Sequence, residues 1–237
     1  IYKINFSKYN VIHYVGFTWF SVFMSYYLKK QKKFQVRELT SLVDVYSRSL
    51  TFGRIIFNFF VKRHNNNADI LIAISNKLKE DANLKHPSKK TYMKYNLIDT
   101  HTYNYNNLKN NNNVKTIKKI LDLKWSSESI IFLNIGHINE NKNQIYLINQ
   151  LKLLPNKYKL IIIGPTYEED RYYFNKLNEI INLNNLNNRI LLIDKYQKNI
   201  SEYYLLSDIF VLPSKMEGFG NVILEALAMG LPVLANK

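Results

Sequence analysis

Two glutamates with two glycines close behind the first are the residues of this 237-residue chain whose types and spacing most suggest chemistry. They are Glu217 and Glu225, eight positions apart, and Gly218 and Gly220 lie between them. Glycines permit close backbone approach and unusual φ values, and the start of a helix presents unpaired N–H groups with positive partial charge. The segment therefore predicts a place that binds an anion such as a diphosphate, or a ring hydroxyl, beside two carboxylates.

Ordinary structural roles also exist for both glutamates. A glutamate at a helix start is a common partner of the helix dipole, and one on a short helix usually faces solvent. The helix after Gly220 is mostly apolar, however, since it carries Leu224, Leu227, Ala228 and Met229. Ionised carboxylates near a core need specific partners, so this context favours a binding site that both glutamates face.

The elements that must position these residues belong to the α/β class. Short apolar runs alternate with amphipathic stretches along the chain, which is typical of βα units that form a parallel sheet. In the first half we predict strands and helices, in chain order, at Asn10–Val15, Trp19–Lys30, Phe34–Glu38, Val43–Arg63, Ile70–Ala73, Asn76–Asp81 and Tyr92–Tyr95.

A second βα series follows a polar stretch, Thr100–Asn113, which has little apolar content and indicates a linker. We therefore predict a domain over residues 1–104, a linker over 105–113 and a second domain over 114–237. The predicted elements of the second domain are Val114–Leu123, Ser129–Ile135, Asn143–Leu153, Tyr158–Ile163, Tyr167–Leu183, Arg189–Ile193, Ile200–Leu206, Ile209–Leu212, Asn221–Met229 and Pro232–Ala235.

Composition narrows the class of protein further. Hydrophobic residues make up 46% of the chain, enough for real cores, and the absence of cysteine excludes disulfides and thiolate metal sites and fits a reducing cytoplasm. Residues 11–28 lack charged side chains and have about the length of a membrane span. Polar residues such as His13 and Thr18 favour a strand, a loop and a buried helix instead. Without an initial methionine or a leader, the chain is interpreted as a fragment.

The formal charge of +15 is concentrated in the first hundred residues, with one cluster at Lys29, Lys30, Lys32 and Lys33. Basic residues near helix C-termini are ordinary dipole partners. An anionic membrane surface, an anionic acceptor and nucleic acid are the functional alternatives. The lysines are scattered over helices without a recognised nucleic-acid-reading motif, so we expect no specific nucleic-acid partner.

The run EGFGNVILEALAMGLPV resembles the donor-site signature of the family 4 retaining glycosyltransferases, which have the GT-B fold of two Rossmann-like domains facing a cleft. The resemblance implies that Glu217 lies beside the donor sugar and that Glu225 binds the ribose hydroxyls of the nucleotide. The intervening backbone is implied to meet the sugar and the phosphates at Gly218, Phe219, Gly220 and Asn221.

Two more segments of the second half are similar to the same family. FLNIGHINENKNQ resembles its strand-turn-helix in which an arginine and a lysine grip the diphosphate, and LIIIGP resembles the next strand and glycine turn. This implies donor-binding roles for Gly136, Lys142 and Gly164. His137 occupies the arginine position, and because histidine is shorter and only partly charged, this departure implies weaker phosphate binding, another donor or an impaired enzyme.

The first half resembles the acceptor domain of the family more loosely. VIHYVGF is similar to the segment in which the family carries a histidine facing the cleft, so His13 is the acceptor-side candidate, although Val15 stands where a second histidine is usual. The alternative is a histidine satisfied within the core. ADILIAISNKLKE and KYNLIDTHTY are similar to the last strands of that domain. The resemblance thus implies two Rossmann-like domains, both incomplete.

The function implied is retaining transfer of a hexose-type sugar from a nucleotide sugar to a glycan or lipid-linked acceptor in cell-envelope or surface polysaccharide synthesis. Glu217 and Lys142 are the catalytic candidates. We expect no cofactor beyond the nucleotide-sugar co-substrate, and no metal, because no Asp-x-Asp or metal-spaced cluster is present. We also expect a cytoplasmic protein, peripheral on the inner leaflet of the membrane. A catalytically impaired nucleotide-sugar-binding scaffold and, more remotely, a basic nucleic-acid-binding protein are the alternatives.

Overall fold

The computed structural model describes residues 6–41, 44–45, 52–108 and 112–236. The chain divides into two compact units, Ile1–Asn96 and Leu97–Lys237. Each unit contains a parallel sheet with helices between its strands, so the predicted α/β class is confirmed. Below, unit 1 and unit 2 denote these two parts.

Unit 1 holds a four-stranded sheet in the order β1-β2-β3-β4, with all neighbouring strands parallel. Its elements are β1 Val11–Val15, α1 Trp19–Lys30, β2 Phe34–Leu39, α2 Phe52–Asn67, β3 Ile70–Ala73, α3 Asn76–Lys85 and β4 Lys90–Met93. The apolar stretch at residues 11–28 is therefore a strand, a turn and a helix, but the prediction of a buried helix is wrong, since α1 exposes large side chains such as Phe20 and Phe23. In the described part of the chain, no helix combines the length and apolar character that crossing a bilayer requires.

Several boundaries in unit 1 differ from the prediction. The strand predicted at Tyr92–Tyr95 begins two residues earlier, because β4 pairs in register with β3 from Lys90 onward. The helix predicted to end at Asp81 continues to Lys85 and stops just before Pro87, which disfavours helix at the residue preceding it.

The helix predicted from Val43 begins instead at Phe52 within the described residues, and residues 42–43 and 46–51 lie outside them. Asp44 is in a turn, where its carboxylate accepts hydrogen bonds from the backbone N–H groups of Thr40 and Ser41 at 2.7 and 2.9 Å. Such local side-chain bonds compete with helix formation.

Unit 2 holds a five-stranded parallel sheet in the order β7-β6-β5-β8-β9. Its elements are α4 Tyr105–Leu108, α5 Asn112–Lys124, β5 Ile130–Ile135, α6 Gln144–Leu151, β6 Tyr158–Ile163, α7 Arg171–Leu183, β7 Ile190–Ile193, α8 Ile200–Leu205, β8 Ile209–Leu212, α9 Asn221–Ala228 and β9 Val233–Ala235. Every strand predicted in this half is present, with boundaries within one residue.

The strand order of unit 2 defines where a ligand can enter. The chain builds outward from β5 through β6 and β7, then returns to place β8 on the other side of β5. In open parallel sheets the loops at such a switch point separate, and the crevice at the carboxyl ends of the strands is the usual binding place. The loops after β5 and β8 contain most of the sequence-predicted site residues.

The predicted linker at residues 105–113 is wrong at its start. Tyr105–Leu108 is a short helix, and Leu108 is buried with Leu121 in a core of unit 2. The Asn104 side-chain oxygen accepts hydrogen bonds from the N–H groups of Asn106 and Asn107 at 3.0 and 3.2 Å, which starts this turn of helix. Unit 2 itself begins at Leu97, before the predicted boundary after residue 104.

Candidate functional site

Two loops meet at the switch point of the unit 2 sheet, residues 136–143 after β5 and residues 213–220 after β8. Asn141 joins them with three hydrogen bonds. Its side-chain oxygen accepts from the Met216 N–H at 3.1 Å, its side-chain nitrogen donates to the Met216 carbonyl at 2.9 Å, and its carbonyl accepts from the Lys215 N–H at 2.7 Å. This asparagine fixes one loop against the other.

Lys142 and Glu217, predicted as the catalytic pair, are brought together by these loops. The Lys142 ammonium nitrogen lies 2.5 Å from Glu217 Oε1, with 20% of the lysine side chain and 27% of the glutamate side chain exposed. The Lys142 backbone N–H is itself held by the side-chain oxygen of Asn139 at 3.0 Å. A cation and a carboxylate thus lie together at the switch point of the sheet, and both side chains are partly exposed to solvent.

Gly136 and Gly164 allow the loops after β5 and β6 to approach each other. A Cβ atom added to Gly164 would lie 1.9 Å from the Gly136 carbonyl oxygen, a distance that no side chain tolerates. A Cβ on Gly136 would lie 3.5 Å from Lys142 Cε, so the lysine stem packs over this glycine. Both glycines therefore keep backbone, and not side chain, at the surface where a ligand would lie.

Helix α9 begins directly after Gly220, at the residue predicted from the sequence. Gly220 precedes the helix in the left-handed conformation, at φ +72°, and provides no side-chain cap for the first turn. Gly218 and Phe219 form a half-buried bend before it, and Asn221 is the first, exposed residue of the helix. An N-terminus without a side-chain cap carries positive partial charge and suits an anion.

Glu225, one turn further along α9, is held by tyrosines. The buried Tyr204 hydroxyl donates to Glu225 Oε2 at 2.8 Å, and the Tyr103 hydroxyl also bonds this carboxylate. Burial, then the charge of Glu225 and the hydrogen bond to it, raise the pKa of both tyrosines. Both hydroxyls therefore stay protonated and act as donors to the glutamate.

A cavity of about 520 Å³ connects several of the predicted donor-binding residues. Its wall contains Gly136, His137, Gly164 and Glu225, and the rest is formed by Tyr103, Ile135, Ile163, Pro165, Tyr167, Lys195, Tyr196, Gln197, Ile200 and Val222. Lys142 touches this wall at Gly136 and connects it to Glu217. The carboxyl ends of β5 and β6 and the first turns of α9 therefore enclose one space.

His137, which the sequence analysis compared with a phosphate-binding arginine, is exposed and turned towards Tyr167. Its Nε2 lies 3.2 Å from the Tyr167 hydroxyl, and the two rings meet edge to face at a centroid distance of 4.6 Å. Tyr167 thus supports the imidazole at the cavity wall. Sequence reasoning missed Tyr167, as it missed Asn141 and Tyr204, because none of them carries a motif-level signal.

His13, the acceptor-side candidate, lies on β1 of unit 1. Its side chain is 41% exposed, and its Nε2 is 3.2 Å from Glu38 Oε2, which also accepts a 2.8 Å hydrogen bond from Lys94. The alternative of a histidine enclosed in the core is therefore wrong. Its role towards an acceptor stays a prediction.

No group of three or more histidine or acidic side chains capable of holding a metal occurs among the described residues. The groups that the site offers to a ligand are a lysine, helix amides and two glutamates that other side chains hold in place. This set offers positive charge for an anion without a metal.

The fold defines the class of the protein. The Anabaena protein HepE, solved in complex with UDP, superposes with a TM-score of 0.80 at 19% identity, covering 97% of this chain and 60% of that chain. The two parallel-sheet α/β units and this likeness establish the GT-B fold.

The sequence then places the chain within a family. Residues 115–237, just over half of the chain, match the model of the glycosyl transferases group 1. The chain belongs to this family of glycosyl transferases.

Two relatives are informative. A Methanocaldococcus jannaschii protein described as an uncharacterized glycosyltransferase is 40% identical over 112 residues, 46% of this chain and 26% of that protein. A Campylobacter jejuni protein, an N-acetylgalactosaminyltransferase acting on a diphospho-undecaprenol-linked sugar, is 25% identical over 203 residues, 85% of this chain and 50% of that protein. The chain thus spans at most about half the length of these relatives.

Proposed function

We propose that the protein transfers a hexose-type sugar, with retention of anomeric configuration, from a nucleotide sugar to a glycan or lipid-linked acceptor. The observation that carries this proposal is the Lys142–Glu217 ion pair, whose lysine stem packs over Gly136 in the wall of a cavity that also contains Glu225. A nucleotide sugar needs cationic groups for its diphosphate and a hydrogen-bond acceptor for its ribose diol. Lys142 and Glu225 are proposed to meet these two needs.

The charge on the departing diphosphate is the main electrostatic problem of glycosyl transfer. Lys142 and the uncapped start of α9 provide fixed positive charge where that diphosphate would lie. Because these groups are already oriented by Asn139, Asn141 and the helix, little reorganisation is needed during reaction. The same groups make a metal unnecessary, and we therefore propose metal-independent transfer.

Glu217 is proposed to orient the donor sugar. Its bond to Lys142 fixes one carboxylate oxygen, Oε1, and leaves the other for a sugar hydroxyl. In a retaining reaction of this kind the acceptor attacks from the face that the diphosphate leaves. Glu217 then stabilises and positions without becoming a covalent nucleophile, and Lys142 stabilises the leaving group.

The acceptor is proposed to be a glycan or a lipid-linked sugar of cell-envelope or surface polysaccharide synthesis. The Campylobacter jejuni relative, which carries a diphospho-undecaprenol acceptor in its name, supports this choice. Within unit 1 the partly exposed His13, fixed by Glu38, is the side chain we propose to contact the acceptor.

The test uses the full-length protein and a panel of nucleotide sugars. A cognate donor should raise the melting temperature by mass action, and radiolabelled sugar should then move to an extracted lipid-linked acceptor with the anomeric configuration of the donor retained by NMR. Transfer should persist in EDTA. Stabilisation by no nucleotide sugar would refute the proposal, and inversion or loss of activity in EDTA would refute its finer parts.

One observation favours a second candidate, a nucleotide-sugar-binding protein that no longer catalyses transfer. His137 stands where the family has arginine, is shorter, and is already bonded to Tyr167. A histidine cannot give the bidentate grip that arginine gives a phosphate. Binding of a nucleotide sugar without product formation by the full-length protein would select this candidate.

We further propose that the protein is cytoplasmic and binds the inner leaflet of the membrane through unit 1. Helix α1 exposes Trp19, Phe20, Phe23 and Tyr27 and ends in the basic cluster that begins at Lys29. Aromatic side chains and lysines together suit an anionic lipid surface. Flotation with anionic vesicles at moderate salt is the test. Equal retention on neutral vesicles contradicts the idea.

A further inference from the structure

Tyr204 is a fully buried polar side chain that touches the candidate site. It lies on α8, is fully buried, and contacts Phe210 and Tyr103 at ring-centroid distances of 5.6 and 5.9 Å. Its hydroxyl lies 2.8 Å from Glu225 Oε2 and 3.3 Å from the Val222 carbonyl. Because the ring is held on all sides, its hydroxyl has one direction only, towards the start of α9.

We propose that Tyr204, together with Tyr103, is a positioning residue that presets the Glu225 carboxylate for the ribose diol of the donor nucleotide. The inference rests on the proposed function and deepens it. A glutamate on a helix has several rotamers of similar energy, and binding has to select one of them. With Oε2 held by the tyrosine, the carboxylate enters the cavity wall in one orientation, and its remaining lone pairs are left for the two ribose hydroxyls.

Burial makes this arrangement persistent. Low dielectric and the neighbouring carboxylate raise the pKa of Tyr204, so its proton stays in place throughout the physiological range. Tyr103 comes from the segment before α4, outside the region in which the sequence predicted donor contacts. Tyr103 lines the cavity itself, and its hydroxyl is the second to hydrogen-bond to the Glu225 carboxylate.

The experiment is a double-mutant cycle in the full-length protein with UDP as the probe, followed by calorimetry. Tyr204→Phe removes only the hydroxyl and should weaken UDP binding about three- to tenfold, the cost of ordering one side chain on binding. The Michaelis constant for the cognate donor should rise equally while kcat stays unchanged. In the Glu225→Ala background the same tyrosine substitution should have no further effect, because its action passes through the glutamate.

Tyr203→Phe is the matched control, since Tyr203 is the adjacent buried tyrosine of α8 and is not part of the wall of the candidate-site cavity. It should leave UDP affinity unchanged. Tyr103→Phe, at a half-buried position, is the second variant in case Tyr204→Phe does not fold, and it should give a smaller loss in the same direction.

The outcomes separate the inference from the proposed function. Wild-type affinity in Tyr204→Phe and Tyr103→Phe, or an equal loss with and without Glu225, overturns the positioning role while the function stands. Failure of the wild-type protein to bind UDP, GDP or any nucleotide sugar of the panel overturns the proposed function itself.

Discussion

The two units have the same α/β construction but differ in where the Arg37–Asp44 and Lys142–Glu217 ion pairs lie. In unit 1 the sheet buries charged and polar groups: Arg37 is fully buried, and Asp44, His64, Asn65 and His86 surround it. In unit 2 the inner strand β6 ends in four successive buried apolar residues, and the Lys142–Glu217 pair stands at the carboxyl edge of the sheet. Polar groups that hydrogen-bond to one another inside a core stabilise the fold, whereas partly exposed polar groups at the edge of a sheet are available to bind a ligand.

The unit 1 cluster is closed by its own hydrogen bonds. Arg37 donates to the Gly16 carbonyl at 2.9 Å, to Asp44 at 3.4 Å and to the Asn65 side chain. Asn65 in turn donates to the Asp44 carbonyl at 2.9 Å and contacts His86 at 3.0 Å. Burial lowers the pKa of Arg37 to about 10, against the charge of Asp44, so the guanidinium remains charged at neutral pH. The comparison predicts that substitutions in the unit 1 cluster lower stability and that substitutions at the unit 2 site lower activity.

The largest effect is expected for Arg37→Met. Removing one partner of a buried charged pair leaves Asp44 uncompensated, and we expect the free energy of unfolding to fall by about 3–5 kcal/mol. Urea denaturation measures it. The matched control, Arg63→Met, removes an exposed arginine that stacks on Tyr26 and should cost less than about 1 kcal/mol. Similar losses in both variants would show that the cluster is not a special part of the unit 1 core.

Glu217→Ala should show the opposite pattern. We expect transfer by the full-length protein to fall about 100-fold, equivalent to about 2.7 kcal/mol of barrier, because a positioned carboxylate at the reacting centre is lost. The melting temperature should barely change, since both members of the Lys142 pair are partly exposed. Glu140→Ala, an exposed carboxylate in the loop after β5, is the control and should retain activity. Unchanged turnover in Glu217→Ala would contradict its assigned role.

Acid should destabilise unit 1 through two buried histidines. Burial, then the charge of Arg37, lowers the pKa of His64 to about 3, and burial, then the charges of Lys62, Arg37 and Lys89, lowers that of His86 to about 4. Below about pH 6.5, the usual pKa of histidine, His64 and His86 bind protons in the unfolded chain but stay neutral in the folded chain. Stability is therefore complete above about pH 6.5 and is lost as the pH falls towards 4, by up to about 1.4 kcal/mol per pH unit for each histidine.

Urea midpoints measured between pH 4 and 8 check this slope. His64→Gln should reduce it by about half, whereas a substitution at the exposed His101 should leave it unchanged. A slope that is the same in all three proteins would mean that acid acts elsewhere.

The smallest effect is expected for a substitution of His137, at the candidate site of unit 2. His137→Arg restores the side chain that the family carries, and a guanidinium can bind a diphosphate in bidentate fashion. We expect the affinity for UDP to rise about threefold to tenfold and that for uridine, which has no phosphate, to stay the same. Equal changes for both ligands, or none, would mean that the loop after β5 does not meet the phosphates.

Most of the unit 2 fold could be predicted from its sequence because its strands are continuous apolar runs between clear turn residues. Tyr158–Ile163 and Ile209–Leu212 begin and end at the predicted residues. Unit 1 was harder, since its strands contain Gln35, Arg37 and Glu38, whose burial depends on partners distant in sequence. The short helix Tyr105–Leu108 could not be predicted, because four residues with one buried leucine carry no periodicity.

The candidate site shows the same division between local and distant information. The glycines and glutamates could be predicted because Gly220 and the uncapped start of α9 leave a local pattern. Asn141, Tyr103 and Tyr204 could not, since each acts through hydrogen bonds to residues far along the chain. A motif therefore identifies the groups that meet a ligand, and tertiary structure identifies the groups that hold them.

A crystal structure of the protein with UDP bound tests the central claim most directly. The account predicts the ribose hydroxyls within about 3.2 Å of the Glu225 carboxylate, and the diphosphate beside Lys142 and the first turn of α9. Nucleotide bound outside the cavity, or with its phosphates remote from Lys142, would contradict it.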